Sequence, residues 1–197
     1  MEWTQFIKGV TMDIKRNSKI LRKENTALLV IDIQERILNV MQNKEMVIEN
    51  SLKLIKGYKA LELPIYFTEQ YPKGLGETAE ILKSELEGHA IQKMSFSCSG
   101  AGDLFKELID KNLTQIVLCG IETHVCVQQT ALDLVENGFQ VDVIADAVSS
   151  RKEIDYKTAL NRMQNNGCEI TTTESVLFEL LEVCGTPVFK EISKIVK

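Results

Sequence analysis

Residues 116–134 read Ile-Val-Leu-Cys-Gly-Ile-Glu-Thr-His-Val-Cys-Val-Gln-Gln-Thr-Ala-Leu-Asp-Leu. The short apolar run from Ile116 to Leu118 is the pattern of a parallel strand, which packs on both faces and so lacks polar alternation. Gly120 interrupts it, and Thr123 is suited to cap a helix whose first N–H groups would otherwise lack partners. Val127, Ala131, Leu134 and Val135 then recur at helical spacing. This reading sets Cys126 in the first turn of a helix, just past the carboxyl end of a strand. Free backbone N–H groups and the helix dipole there favour a thiolate over a thiol. Open α/β sheets bind ligands along that same edge. The sharp expectation is a nucleophile; the bland one is a small buried apolar residue, as most free cysteines are.

Outward from this stretch, apolar runs alternate with amphipathic ones. Ala27–Ile31, Pro64–Phe67, Ala90–Lys93, Gln115–Leu118, Val141–Ala145 and Cys168–Thr171 read as strands. Helices are expected over Met46–Leu61, weakly over Thr78–Leu86, and over Leu104–Asp110 and Thr123–Asn137, the last closed by Gly138. Ser150-Arg-Lys-Glu153 has the form of a capping box opening a helix to about Asn165, and helical sequence from Glu174 finishes the chain. The alternation predicts a three-layer α/β fold: a six-stranded parallel sheet with helices on both faces, joined by right-handed crossovers. Its expected strand order is 3-2-1-4-5-6, because the order must reverse beside strand one to gather a site there. Residues 1–24 read as an N-terminal extension and 25–197 as a single domain.

The totals bound the function. A chain of 197 residues holds one α/β domain with a full core. The net charge of −5 argues against nucleic acid as a partner. Five cysteines, at 98, 119, 126, 168 and 184, form no C-x-x-C pair, which disfavours a disulfide framework or zinc site and favours a reducing compartment. No apolar stretch approaches the roughly 18–20 residues of a membrane span, so no membrane partner is expected. The N-terminal segment carries Lys8, Lys15, Arg16, Lys19, Arg22 and Lys23 without an apolar signal core. A cytoplasmic location is expected. A mitochondrial leader, the alternative, would be rich in arginine and poor in acids, whereas Glu2, Asp13 and Glu24 intervene here.

In such a sheet all carboxyl ends share one edge. Asp32 follows strand one, Lys93 ends strand three, and Cys126 follows strand four. A carboxylate directly after Leu28-Leu-Val-Ile31 costs free energy unless it has a partner or a task. An acid, a cation and a thiol thus reach one rim from three strands, as a nucleophilic site requires. The joint alternative is a Lys–Asp ion pair without chemistry.

Three strings carry a family likeness: Ala-Leu-Leu-Val-Ile-Asp-Ile-Gln around Asp32, Gln-Lys-Met-Ser-Phe-Ser around Lys93, and Gly-Ile-Glu-Thr-His-Val-Cys-Val around Cys126. In order and spacing they resemble the signatures of the isochorismatase-like cysteine hydrolase superfamily, over about Asn25 to Glu182. Thr68-Glu-Gln-Tyr-Pro-Lys-Gly-Leu-Gly76 and Ala145-Asp-Ala-Val-Ser-Ser-Arg151 further resemble a subgroup of isochorismatase-domain proteins without an assigned substrate. The resemblance implies that Asp32 takes the Cys126 proton, that Lys93 holds Asp32, and that the sulfur attacks a carbonyl carbon. It also implies a cis peptide at Ile121–Glu122 whose Glu122 and Cys126 N–H groups form an oxyanion hole, worth about 3–4 kcal/mol per donor in such sites. Gln34, Gln70, Tyr71 and Phe96, beside these motifs, are candidates for the substrate pocket.

The resemblance also carries departures. Nicotinamidases have histidine metal ligands after the second strand, where this chain reads Thr68-Glu-Gln-Tyr-Pro72, and its only histidines are His89 and His124. Neither a metal nor any other cofactor is expected. True isochorismatases cleave an enol ether and lack the cysteine, so Cys126 points to C–N cleavage by a thioester route. His124 lies two residues before Cys126, a spacing that does not face it on a helix. Cys98, in a Ser/Gly-rich loop near Lys93, reads as the most reactive of the other four thiols, Gly74 and Gly76 read as turn residues, and Asp146 reads as a loop anchor near Arg151. Two classes remain: a hydrolase of a small amide or ureide, and a binding or assembly protein (non-catalytic or enol-ether type) on the same fold. A homo-oligomer is expected from the family.

Overall fold

The computed structural model describes the backbone of residues 3–7 and 10–14 and the full chain from 15 to 197. Strands β1 (Trp3–Ile7) and β2 (Val10–Ile14) pair antiparallel in a sheet of their own. Both lie within residues 1–24, read from the sequence as an N-terminal extension without assigned elements. Residues 15–22 then run along the body. The Leu21 side chain is fully buried in the core, and the Arg22 N–H donates to Gln115 Oε1 at 2.8 Å.

The main sheet comprises β3 (Thr26–Ile31), β4 (Ile65–Gln70), β5 (Ile91–Lys93), β6 (Gln115–Ile121), β7 (Gln140–Ser149) and β8 (Glu169–Thr171). All neighbours are parallel in the order β5-β4-β3-β6-β7-β8. Counted within the sheet, this is the expected 3-2-1-4-5-6. β3 and β6 are buried along their whole length, which is why each reads as an unbroken apolar run. Their side chains alternate between two cores. Leu28, Val30, Val117 and Cys119 pack with the helices Lys44–Ala60, Thr173–Leu181 and Pro187–Ile195. Leu29, Ile31, Ile116 and Leu118 pack with Leu104–Asp110, Gln128–Glu136 and Glu153–Asn165.

Local chemistry departs from expectation at three places. Thr123 does not cap a helix: Thr123–Val127 forms a π-helical turn that enters Gln128–Glu136, and the Thr123 hydroxyl is buried without a partner. The capping box at Ser150 is not used, since the helix begins at Glu153 and Ser150 bonds His124 instead. Strand β7 runs four residues beyond Ala145 with a register shift opposite Leu118/Gly120. In that irregular stretch Asp146 Oδ1 accepts from the N–H and hydroxyl of Thr173, both at 2.9 Å, and so anchors the next helix. Among the described residues no helix is long and apolar enough to cross a membrane.

Candidate active site

Asp32 is the first residue beyond β3 and has a φ of 53°. Aspartate is one of the few side chains that tolerates this left-handed region, and the turn stops the strand where the carboxylate is needed. The Asp32 N–H still donates across to the Thr68 carbonyl on β4 at 3.2 Å. One carboxylate oxygen, Oδ2, accepts from Lys93 Nζ at 2.6 Å, and the other, Oδ1, accepts from the Thr68 hydroxyl at 2.7 Å.

Lys93 ends β5 with its side chain sealed from solvent. A buried ammonium requires acceptors for each of its hydrogens. Besides Asp32, Nζ donates to Gln70 Oε1 at 2.9 Å and to the carbonyls of Phe96 at 2.9 Å and Ser95 at 3.2 Å. The loop after β5 is therefore folded around its own lysine. It is tied in turn to the cysteine helix: the Cys98 N–H donates to Thr130 Oγ1 at 2.9 Å, and Ser97 and Ser99 both donate to Asp133.

Cys126 lies within the π-helical turn and is 6% exposed. Burial pushes its thiol well above the ordinary cysteine range; the Asp32 charge adds to this and Lys93 opposes it. The helix-terminus reading of the sequence had favoured a thiolate. Burial and an adjacent carboxylate outweigh a dipole that is worth roughly 1 kcal/mol, so the resting sulfur is held as a thiol. The Ile121–Glu122 peptide bond is cis, at the position the resemblance implies, and the Arg151 Nε donates to Glu122 Oε1 at 2.6 Å.

The four pocket candidates divide. Gln34 is fully buried and its amide is committed to backbone: it accepts from Gln70 N at 2.8 Å and donates to the carbonyls of Gln70 and Gly76. Gln70 accepts from Lys93 and donates to the Met94 carbonyl at 2.9 Å. Both amides thus brace the strand ends around Lys93. Tyr71 and Phe96 are 46% and 54% exposed and sit against Lys93 through the main chain, the Tyr71 N–H donating to the Lys93 carbonyl at 2.9 Å. They remain available to a ligand.

His124 bonds Ser150 Oγ at 2.9 Å through Nδ1, and its Nε2 lies 3.9 Å from Asp155. Cys98, expected to be the more reactive of the other thiols, is fully buried and raised to about 11 by that burial. Thr68 was missed in the sequence. Its only signal was a hydroxyl near the carboxyl end of a strand, facing a carboxylate 36 residues earlier. Among the described residues no group of three or more His, Cys, Asp or Glu side chains is placed to hold a metal ion.

Comparison with known proteins agrees with this architecture. The isochorismatase domain model matches residues 26–175. Isochorismatase domain-containing protein 2A of Mus musculus is 39% identical over 176 residues, spanning 88% of this chain and 84% of that protein. A Caenorhabditis elegans structure described as the MAR1 ribonuclease superposes with a TM-score of 0.83 at 37% identity, covering 89% of this chain and 91% of its own. The Escherichia coli YcaC gene product, described as an octameric hydrolase of unknown specificity, gives a TM-score of 0.80 at 26% identity, with 86% and 85% covered. The chain belongs to the isochorismatase domain family.

Proposed function

We propose that this protein is a cofactor-free cysteine hydrolase that cleaves a small amide or ureide C–N bond. The observation that carries the reading is the buried Lys93–Asp32 ion pair, whose two charges both act on the buried Cys126 thiol. Because the sulfur rests as a thiol, its attack on the carbonyl carbon is coupled to transfer of its proton to Asp32. Lys93 compensates the charge that Asp32 carries before this transfer and regains once it has given the proton up. The N–H groups of Glu122 and Cys126 receive the oxyanion. When the tetrahedral adduct collapses, the C–N bond breaks and Asp32 gives its proton to the leaving nitrogen, which leaves a thioester. Asp32 then deprotonates water as it adds to the thioester, and the departing sulfur regains a proton as the acid is released.

The buried position of Cys126 favours a small acyl portion, and Tyr71 and Phe96, exposed next to Lys93 in the chain fold, are the side chains offered to the rest of the substrate. The octameric state ascribed to the E. coli neighbour supports a homo-oligomer. RNA, suggested by the description of the C. elegans neighbour, fits a net charge of −5 less well. The test is a panel of small amides and ureides assayed for release of ammonia or amine, with an RNA oligonucleotide as a separate arm and Cys126→Ala as the control. Release by the wild type that vanishes in the variant is expected. Equal release from both would overturn the reading.

A further inference from the structure

We infer that Thr68 is a positioning residue that aims the Asp32 carboxylate and sets its basicity, an inference that rests on the hydrolase reading above. Asp32, Thr68 and Lys93 are each 3% exposed or less, so bulk water does not stand in for a missing donor. Each carboxylate oxygen has one fixed protein donor: Oδ2 the Lys93 ammonium at 2.6 Å, Oδ1 the Thr68 hydroxyl at 2.7 Å. Two donors on the two oxygens fix the plane of the carboxylate, which a single ion pair does not. The direction of the Thr68 hydrogen is also settled by its surroundings. The Cys98 thiol donates weakly to the Thr68 oxygen at 3.9 Å, which leaves the hydroxyl hydrogen for the carboxylate, a strong acceptor. The hydroxyl therefore donates to Asp32.

The consequence follows from what Asp32 has to do. It takes a proton from Cys126 and later returns one to the leaving nitrogen, so both its orientation and its basicity bear on each transfer. A hydrogen bond donated to the charged form lowers that basicity, and its removal inside a buried site raises it. Thr68→Val keeps the shape of the side chain and deletes only the donor; Thr68→Ser keeps the donor. In the valine variant the uncompensated charge on Oδ1 bears directly on the neighbouring sulfur and makes its ionisation harder.

The experiment measures two things in wild type, Thr68→Val and Thr68→Ser. One is the acid limb of the pH–rate profile on an amide that the wild type turns over. The other is the rate of Cys126 alkylation by iodoacetamide at fixed alkaline pH, read by peptide mass spectrometry with Cys184 as internal reference. For Thr68→Val the acid limb is expected to move up by roughly one unit and Cys126 alkylation to slow roughly three- to ten-fold. Thr68→Ser should follow the wild type in both. If valine packs poorly, Thr68→Ala provides the same comparison. Wild-type behaviour in the valine variant, or a serine variant displaced as far as valine, would overturn the role. Should no amide be turned over by the wild type, the hydrolase reading fails, and the alkylation comparison alone decides on Thr68.

Discussion

The Lys93 ammonium and the Asp32 carboxylate meet at 2.6 Å with side chains 0% and 3% exposed, a full ion pair placed inside the protein beside a thiol. Desolvating two charges costs about as much as their attraction returns, and apolar replacements of such pairs are often neutral or stabilising. Stability alone therefore does not account for its presence. The braces around it, from Gln70, Thr68 and two loop carbonyls, hold a carboxylate and a cation in fixed relation to each other.

Removing one partner leaves the other charge buried and alone. Lys93→Met is expected to destabilise the fold by about 3–5 kcal/mol and to abolish turnover. The double variant Lys93→Met/Asp32→Asn should recover much of the stability and none of the activity. Urea denaturation of the four proteins in the cycle measures this. Additive single effects would show that the pair is not energetically coupled.

Gly120 is expected to be irreplaceable for a steric reason. It pairs with Ile31 in the central ladder, has a φ of +139°, and a Cβ there would lie 2.2 Å from the Ile31 carbonyl oxygen. Neither backbone can yield without breaking the β3–β6 ladder next to Asp32. Gly120→Ala should cost more than about 4 kcal/mol or give no soluble protein. Gly138 also has a positive φ, of +87°, but open space around it, so Gly138→Ala should cost only about 1 kcal/mol. Soluble yield and thermal melting compare the two.

How much of this was legible in the sequence depends on where each cause lies. Strand order and the rim positions of Asp32, Lys93 and Cys126 could be read because each follows or ends its own apolar run. The helix Leu104–Asp110 was placed at its observed bounds. The β1–β2 ladder is only half legible: Val10, Met12 and Ile14 alternate with Thr11 and Asp13, whereas Phe6-Ile7 breaks the alternation in the preceding strand. The roles of Gln34, Gln70 and Thr68 were not legible: which partner a buried amide or hydroxyl takes is decided by tertiary placement. The same holds for Cys126. The helix position that favours a thiolate is local, while the burial and the carboxylate that oppose it arrive from elsewhere in the fold.

Asp142, near the amino end of β7, is expected to make stability pH-dependent. Burial raises its carboxyl to about 6, and nearby Glu179 and Glu169 add to this, against the Gln140 amide and Lys19. A raised carboxyl binds its proton more tightly in the folded state, so its contribution is present at pH 4 and is lost as pH rises through about 6. Asp142→Asn keeps an acceptor for the Gln140 amide, which now donates at 3.0 Å. It should raise the melting temperature at pH 8, by no more than about 3 kcal/mol equivalent, with the two melting curves converging near pH 4. A variant that is equally displaced at both pH values would remove Asp142 as the cause.

The protonated state of Cys126 gives the most discriminating expectation. A surface-activated thiol would outrun the other cysteines toward iodoacetamide at neutral pH. Here the exposed cysteine is Cys184, while Cys126 is buried and raised by desolvation and by Asp32. Cys184 should therefore be modified first at pH 7, and Cys126 only as pH climbs well into the alkaline range. Two variants then separate the causes. Asp32→Asn removes the negative charge beside the sulfur and the acceptor of its proton, so Cys126 should alkylate faster than in the wild type while turnover is lost for want of a base. Lys93→Met removes the one opposing cation, so the thiol should be driven higher still and alkylation should slow. The two variants are thus expected to move the pH profile of the same sulfur in opposite directions, although both abolish activity. Peptide-resolved mass spectrometry across pH 6–11 follows each cysteine separately. Displacement of both profiles in the same direction, or of neither, would mean that Asp32 and Lys93 do not act on Cys126 as charges, and the triad assignment would fall with it.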